Sequence, residues 1–234
     1  MAKNIQFLMG LFLLMISPVV FSQTFEGAWE LNTADKQIVL VVKDGYFTYT
    51  EYTPEEFISS RGGILKTDGN HVKVLVEFNS ANSAEVGEEM TYNFSINDDD
   101  LHVNNGGEGY TFKRIDDGNA PLAGVWKITG RKQNGKIVAI HQTGPRKTLK
   151  MLTGNRFQWF AINPETKEFS GTGGGTYSFV NGKYTENILF FSRDNSRVGA
   201  QLTFDGKIED GNWHHSGLSS KGDPIYEIWS RVKY

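Results

Sequence analysis

The chain has 234 residues, and its 24 Lys and Arg against 27 Asp and Glu give a net charge of −3. There is no basic excess to grip a phosphate backbone, which disfavours a nucleic-acid partner, and a 13% aromatic content is too high for a disordered polar chain. Cysteine is absent, which removes disulfides, thiol nucleophiles, thiolate zinc sites and iron–sulfur clusters together.

The first element in chain order is an address. Met1 to Asn4 carries one positive charge, Ile5 to Val20 is nearly all apolar, and Val20-Phe21-Ser22 offers residues that suit a signal peptidase. This is the pattern of a secretory signal over residues 1–22, cleaved near Ser22. The apolar run is short for a bilayer span and has no cysteine at the cleavage point. The expectation is a periplasmic or secreted protein without a membrane anchor.

Two repeats follow. Phe25-Glu26-Gly27-Ala28-Trp29 reappears as Leu122-Ala123-Gly124-Val125-Trp126, and Pro54-Glu55 reappears as Pro164-Glu165. After two inserted residues, Gly62-Gly63 matches Gly174-Gly175, Val86-Gly87 matches Val198-Gly199, and Ile96-Asn97-Asp98 matches Ile208-Glu209-Asp210. Ordered matches at near-constant spacing indicate a tandem duplication. The units are 23–117 and 121–234, joined by the polar stretch Asp116-Asp117-Gly118-Asn119-Ala120-Pro121.

Within each unit the period is two. Ile38-Val39-Leu40-Val41-Val42 precedes the hairpin signal Lys43-Asp44-Gly45, and Met90-Thr91-Tyr92-Asn93-Phe94 alternates. Phe157-Gln158-Trp159-Phe160, Tyr184-Thr185-Glu186-Asn187-Ile188 and Leu202-Thr203-Phe204 follow in the second unit. About eight short strands per unit predict an all-β chain of two antiparallel barrels or sandwiches.

Each unit opens with Gly-x-Trp and closes with an Arg. That pairing resembles the calycin superfamily of lipocalin-like barrels. The resemblance implies two eight-stranded β-barrels, with Trp29 against Arg114 and Trp126 against Arg231 at their closed ends. In the second unit, Asn163-Pro164-Glu165-Thr166-Lys167-Glu168, Ser170-Gly171-Thr172-Gly173-Gly174-Gly175-Thr176-Tyr177, Trp213-His214-His215-Ser216-Gly217 and Glu227-x-Trp229-x-Arg231 run in order. These resemble the small lipocalin-like domains of unknown function in secreted Bacteroidetes proteins. The resemblance implies a fold and no reaction or cofactor.

The glycines of 171–175 lack the following helix of a phosphate loop and suit a strand that bends sharply. Asn97-Asp98-Asp99-Asp100 reads as a turn rather than a calcium loop, and the sequon Asn93-Phe94-Ser95 falls inside a strand. The duplication supplies an internal control. Glu186, His215 and Trp213 of the second unit correspond to Val74, Val103 and Leu101 of the first. Polar residues at interior positions require a partner or a wet cavity. Either Glu186 and His215 satisfy each other or the backbone, or the second barrel holds a pocket walled by Trp159, Tyr177, Trp213 and Trp229, with Glu186, His215 and Glu227 as polar handles. His214 should face outward, which argues against a zinc site with His215.

The second unit also carries an insertion from Arg131 to Lys147, basic and Gly-rich, read as a loop that lids the barrel and favours an anionic ligand. The leading expectation is an exported, non-catalytic protein that binds an anionic or aromatic small molecule in the second barrel. No catalytic residue, metal ligand or cofactor is assigned. Two alternatives stand: an acid/base enzyme using Glu186 and His215, and a structural or interaction module with filled barrels.

Overall fold

A computed structural model describes residues 24–140, 144–219 and 222–234. The expected signal segment, 1–22, lies outside the described residues. The first unit forms strands β1 (Gly27–Asn32), β2 (Gln37–Lys43), β3 (Tyr46–Tyr52), β4 (Phe57–Asp68), β5 (His71–Asn79), β6 (Glu89–Asn97), β7 (Asp100–Asn104) and β8 (Gly109–Asp116). Each pairs antiparallel with the next, and β1 pairs with β8, so the sheet closes into an eight-stranded barrel.

The second unit forms β9 (Gly124–Gln133), β10 (Lys136–Ala139), β11 (Lys147–Leu152), β12 (Arg156–Asn163), β13 (Glu168–Val180), β14 (Lys183–Phe191), β15 (Gln201–Glu209), β16 (Asn212–Leu218) and β17 (Pro224–Val232). Here β9 pairs with both β11 and β17, which closes a second eight-stranded antiparallel barrel; β10 pairs with β9 alone.

Turn chemistry sets much of the register. Asp44-Gly45, Asn134-Gly135, Asn181-Gly182 and Asp210-Gly211 all have positive φ at both positions, the conformation of a two-residue hairpin turn. Asn134-Gly135 corrects the expected lid loop. Residues 131–139 extend β9 and add β10 as a protruding hairpin, because the Asn-Gly pair folds the insertion back on itself. Residues 141–143 of that insertion lie outside the described residues.

The glycine run lies within β13, where the register shifts between Gly174 and Gly175. A Cβ on Gly175 would sit 2.0 Å from the Asn187 carbonyl oxygen. The strand therefore bends where a side chain would block its approach to β14.

The barrels pack face to face. In β2 all five residues from Ile38 to Val42 are buried. Ile38, Leu40 and Val42 face the interior of their own barrel, while Val39 and Val41 join the cluster between the barrels. A strand buried on both faces reads as a continuous apolar run.

Registers show that Val39, Val41, Tyr52, Phe57 and Phe78 hold the places that Leu149, Met151, Ile162, Phe169 and Phe190 hold in the second barrel. All ten belong to, or pack against, one cluster. The interface thus uses the same patch twice, like an isologous dimer contact within one chain. Phe57 and Phe169 stack on each other at 6.4 Å and 9°.

A polar seam crosses the interface. Thr50 Oγ1 donates to Gln158 Oε1 at 3.1 Å, and Gln158 Nε2 donates to Ser60 Oγ at 3.0 Å. The joint between the units is tied down. Asp116 accepts from Gly118 N, Thr153 Oγ1 and Asn155 N at 2.8–2.9 Å, so one linker carboxylate holds the start of the linker against the β11–β12 turn.

Candidate functional site

Both barrels are plugged in the same way. Trp29 is the register partner of Arg114, and Trp126 of Arg231. The Arg114 guanidinium lies 3.9 Å from the Trp29 ring centroid, and that of Arg231 lies 4.3 Å from Trp126. The indole N–H groups donate to Phe25 O and Leu122 O. Arg114 donates to Glu26 O and Thr24 O, and Arg231 to Ala123 O and Pro121 O. Guanidinium stacking and the carbonyl caps together close one end of each barrel.

Above these plugs the interiors diverge. In β11, Leu149 and Met151 face the other barrel, so alternation turns Lys150 inward. Lys150 is the register partner of Trp126 and Trp159. Its Nζ ion-pairs with Glu186 and lies 5.0 to 5.9 Å from the ring centroids of Phe157, Tyr184, Trp213 and Trp229. Lys150 and Glu186 are each 5% exposed and His215 is 3% exposed. A buried cation is tolerated here because a carboxylate and several π faces replace its water.

His215 and Glu227 are register partners on β16 and β17. His215 Nδ1 lies 3.5 Å from Glu227 Oε2, at the outer limit of a hydrogen bond, and neither ring nitrogen has a closer partner among the described residues. Burial pushes the His215 pKa below its ordinary 6.5, against the pull of Glu227, so the imidazole is neutral at pH 7. Burial also opposes ionisation of Glu227. His215, Lys150 and the Trp229 indole N–H, which donates to Glu227 Oε2 at 3.1 Å, together outweigh it and hold Glu227 below its ordinary 4.5.

These groups border a cavity of about 310 Å³. Trp159, Glu186, His215, Glu227 and Trp229 line it, together with Lys150, Phe191, Phe204 and Leu202. Tyr177 and Trp213 are not brought to it. Tyr177 donates its hydroxyl to Thr153 O at 2.6 Å, and Trp213 packs edge-on against Trp126. Both belong to the packed core of the second barrel rather than to the wall. Glu186 and His215 do not satisfy each other, since Glu186 is taken by Lys150. His214 faces away and its Nδ1 lies 2.8 Å from the Tyr226 hydroxyl.

Lys150 is the residue that sequence reasoning missed. The signal was present: Trp29 pairs with Leu40 where Trp126 pairs with Lys150. Setting Lys147-Thr148-Leu149-Lys150-Met151-Leu152 beside β2 places a lysine in an apolar column.

The first barrel holds a cavity of about 280 Å³. At the positions of Lys150, Glu186, His215 and Glu227 it has Leu40, Val74, Val103 and Tyr110. Its interior is mostly apolar but not filled, and among the described residues Arg61 is the one basic side chain in its lining, with Asn104, Asn105 and Glu108.

Residues 121–234 match the profile of a family described as a domain of unknown function, DUF4488. No curated protein matches the chain. Among solved structures, two Helicobacter pylori β-clamps, one with 5-chloroisatin and one with a DNA ligase peptide, are 8% and 9% identical. Each aligns over 88% of this chain with a TM-score of 0.18. A Thermotoga maritima DNA polymerase III β subunit is 7% identical, aligns over 88% of this chain and has a TM-score of 0.15. This chain spans 55%, 57% and 76% of those chains respectively. Likenesses of that size carry nothing about the site.

Proposed function

We propose that this chain is an exported, non-catalytic small-molecule-binding protein of the lipocalin-like, calycin type, with its ligand in the second barrel. The resemblance to secreted Bacteroidetes domains and the apolar segment at 5–20 support export, with cleavage near Ser22. One observation carries the binding reading. His215 is buried in the wall of a cavity of about 310 Å³, and its Nε2 has no partner among the described residues. Buried polar atoms in native proteins are almost always paired, and an orphan in a cavity wall is a place for a ligand group.

The charges favour one kind of ligand. Lys150 and Glu186 neutralise each other, His215 is neutral, and Glu227 is ionised. Arg197, which also borders the cavity, is engaged with Asp194 at 3.3 Å, so Glu227 is the carboxylate left for a ligand. A ligand that donates hydrogen bonds to Glu227 and His215 and stacks on Trp159 or Trp229 fits better than an anion. An acid/base reaction is not favoured, because Glu186 is committed to Lys150.

Thermal shift of residues 23–234 against a panel of amines, amides and carboxylates tests this. A stabilising compound is expected among the first two groups, with its stabilisation lost in His215→Val. A stabilisation that survives both His215→Val and Glu227→Gln places the site elsewhere.

A further inference from the structure

We propose that the first barrel is a second and independent site, built for a compact apolar molecule with a single carboxylate. The argument starts from the cavity. The interior of an eight-stranded barrel is just wide enough to be filled by its own side chains. Yet the first barrel retains about 280 Å³, with Leu65, Val72, Val74 and Val103 in its wall. Leu65 and Phe112 of its lining stand where the second barrel has the larger Tyr177 and Trp229.

The carboxylate preference comes from Arg61. It is the register partner of Tyr49, as Gly173 is of Trp159. The first barrel therefore places a guanidinium where the second has no side chain. Arg61 Cζ lies 4.8 Å from the Tyr49 ring centroid, and no carboxylate lies within ion-pair distance of it among the described residues. The nearby Glu51 is committed: it accepts from Tyr49 Oη at 2.8 Å and from Lys36 Nζ at 2.7 Å. Glu108 lines the same cavity and makes no ion pair among the described residues. A half-buried guanidinium that lines an apolar cavity, with no carboxylate partner among the described residues, is matched by a carboxylate, which accepts two parallel N–H bonds. The volume sits at the low end for small-molecule pockets, roughly 300–1,000 Å³, which suits a short or branched body rather than a long acyl chain.

The test uses residues 23–234 with octanoate, octanol and octylammonium, measured by calorimetric titration. Octanoate is expected to bind at one site and at least tenfold more tightly than octanol, with octylammonium weaker than either. Arg61→Met should remove the tenfold preference and leave octanol unchanged, and Arg61→Lys should retain part of it. Val74→Phe, which fills the cavity from its wall, should weaken octanoate and octanol together. His215→Val should alter none of these affinities, which separates this site from the one in the second barrel. Equal binding of octanoate and octanol to the parent, or a preference that persists in Arg61→Met, overturns the proposal. So does octanoate binding that disappears in His215→Val.

Discussion

Opposite the opening tryptophan, the first barrel has Leu40 and the second has Lys150. One register position, in two closed frames with matched plugs, holds a methyl-bearing side chain in one case and a buried cation in the other. The same holds at Val74 and Glu186, and at Val103 and His215. The frame depends on strand pairing, the Trp–Arg plug and the shared face between barrels, none of which uses those positions. The interiors were thus free to diverge: the first cavity is lined mostly by apolar side chains, the second by a buried ion pair, a histidine and a further carboxylate.

The largest expected effects concern what the barrels share. Phe78 and Phe190 are equivalent and buried in the cluster between the barrels. Phe78→Ala and Phe190→Ala should each cost about 3–5 kcal/mol by urea denaturation. If one cost far less than the other, the two halves of the interface would not be equivalent.

A similar cost is expected where the barrels differ. Glu186→Val leaves Lys150 buried and unpaired, and should cost about 3–5 kcal/mol. Lys150→Leu with Glu186→Val installs the pair of residue types that the first barrel uses, and should restore or exceed parental stability. A double variant no better than the single would mean that the second barrel cannot accept the first barrel's interior.

The plugs should behave alike. Arg114→Ala and Arg231→Ala each remove a stacked guanidinium, worth about 0.5–2 kcal/mol, along with two carbonyl caps. A destabilisation of about 2 kcal/mol is expected from each, measured by thermal melting.

Acid should discriminate between the interiors. The folded His215 pKa lies below 6.5, so the unfolded chain binds the proton more readily. Stability therefore falls as pH drops from about 6.5 toward the folded value. Glu227, also lowered, adds a loss of the same sign below about 4.5. His215→Val should abolish the first of these losses, read as a flatter plot of denaturation midpoint against pH. The smallest effect is expected at the hairpin found only in the second barrel. Asn134→Ala forces alanine to a φ of 49° and should cost about 1 kcal/mol without altering ligand binding.

Much of this was legible in the chain. The repeated Gly-x-Trp and terminal Arg, the period of two and the Asx-Gly pairs are local signals, set by pleat geometry and turn conformation. Comparing one repeat with the other was enough to mark Glu186 and His215 as polar intrusions into an apolar column. Tertiary structure decided what depends on how the barrels meet. Within its own repeat Lys150 reads as an outward strand lysine between two apolar residues, and only the packing of Leu149 and Met151 against the other barrel shows that it points inward. Tyr177 and Trp213 have the composition of a pocket wall, and only packing against Thr153 and Trp126 places them in the core. Parity along a strand assigns a side chain to a face, but whether that face meets a core, a cavity or a second barrel depends on residues far away in sequence.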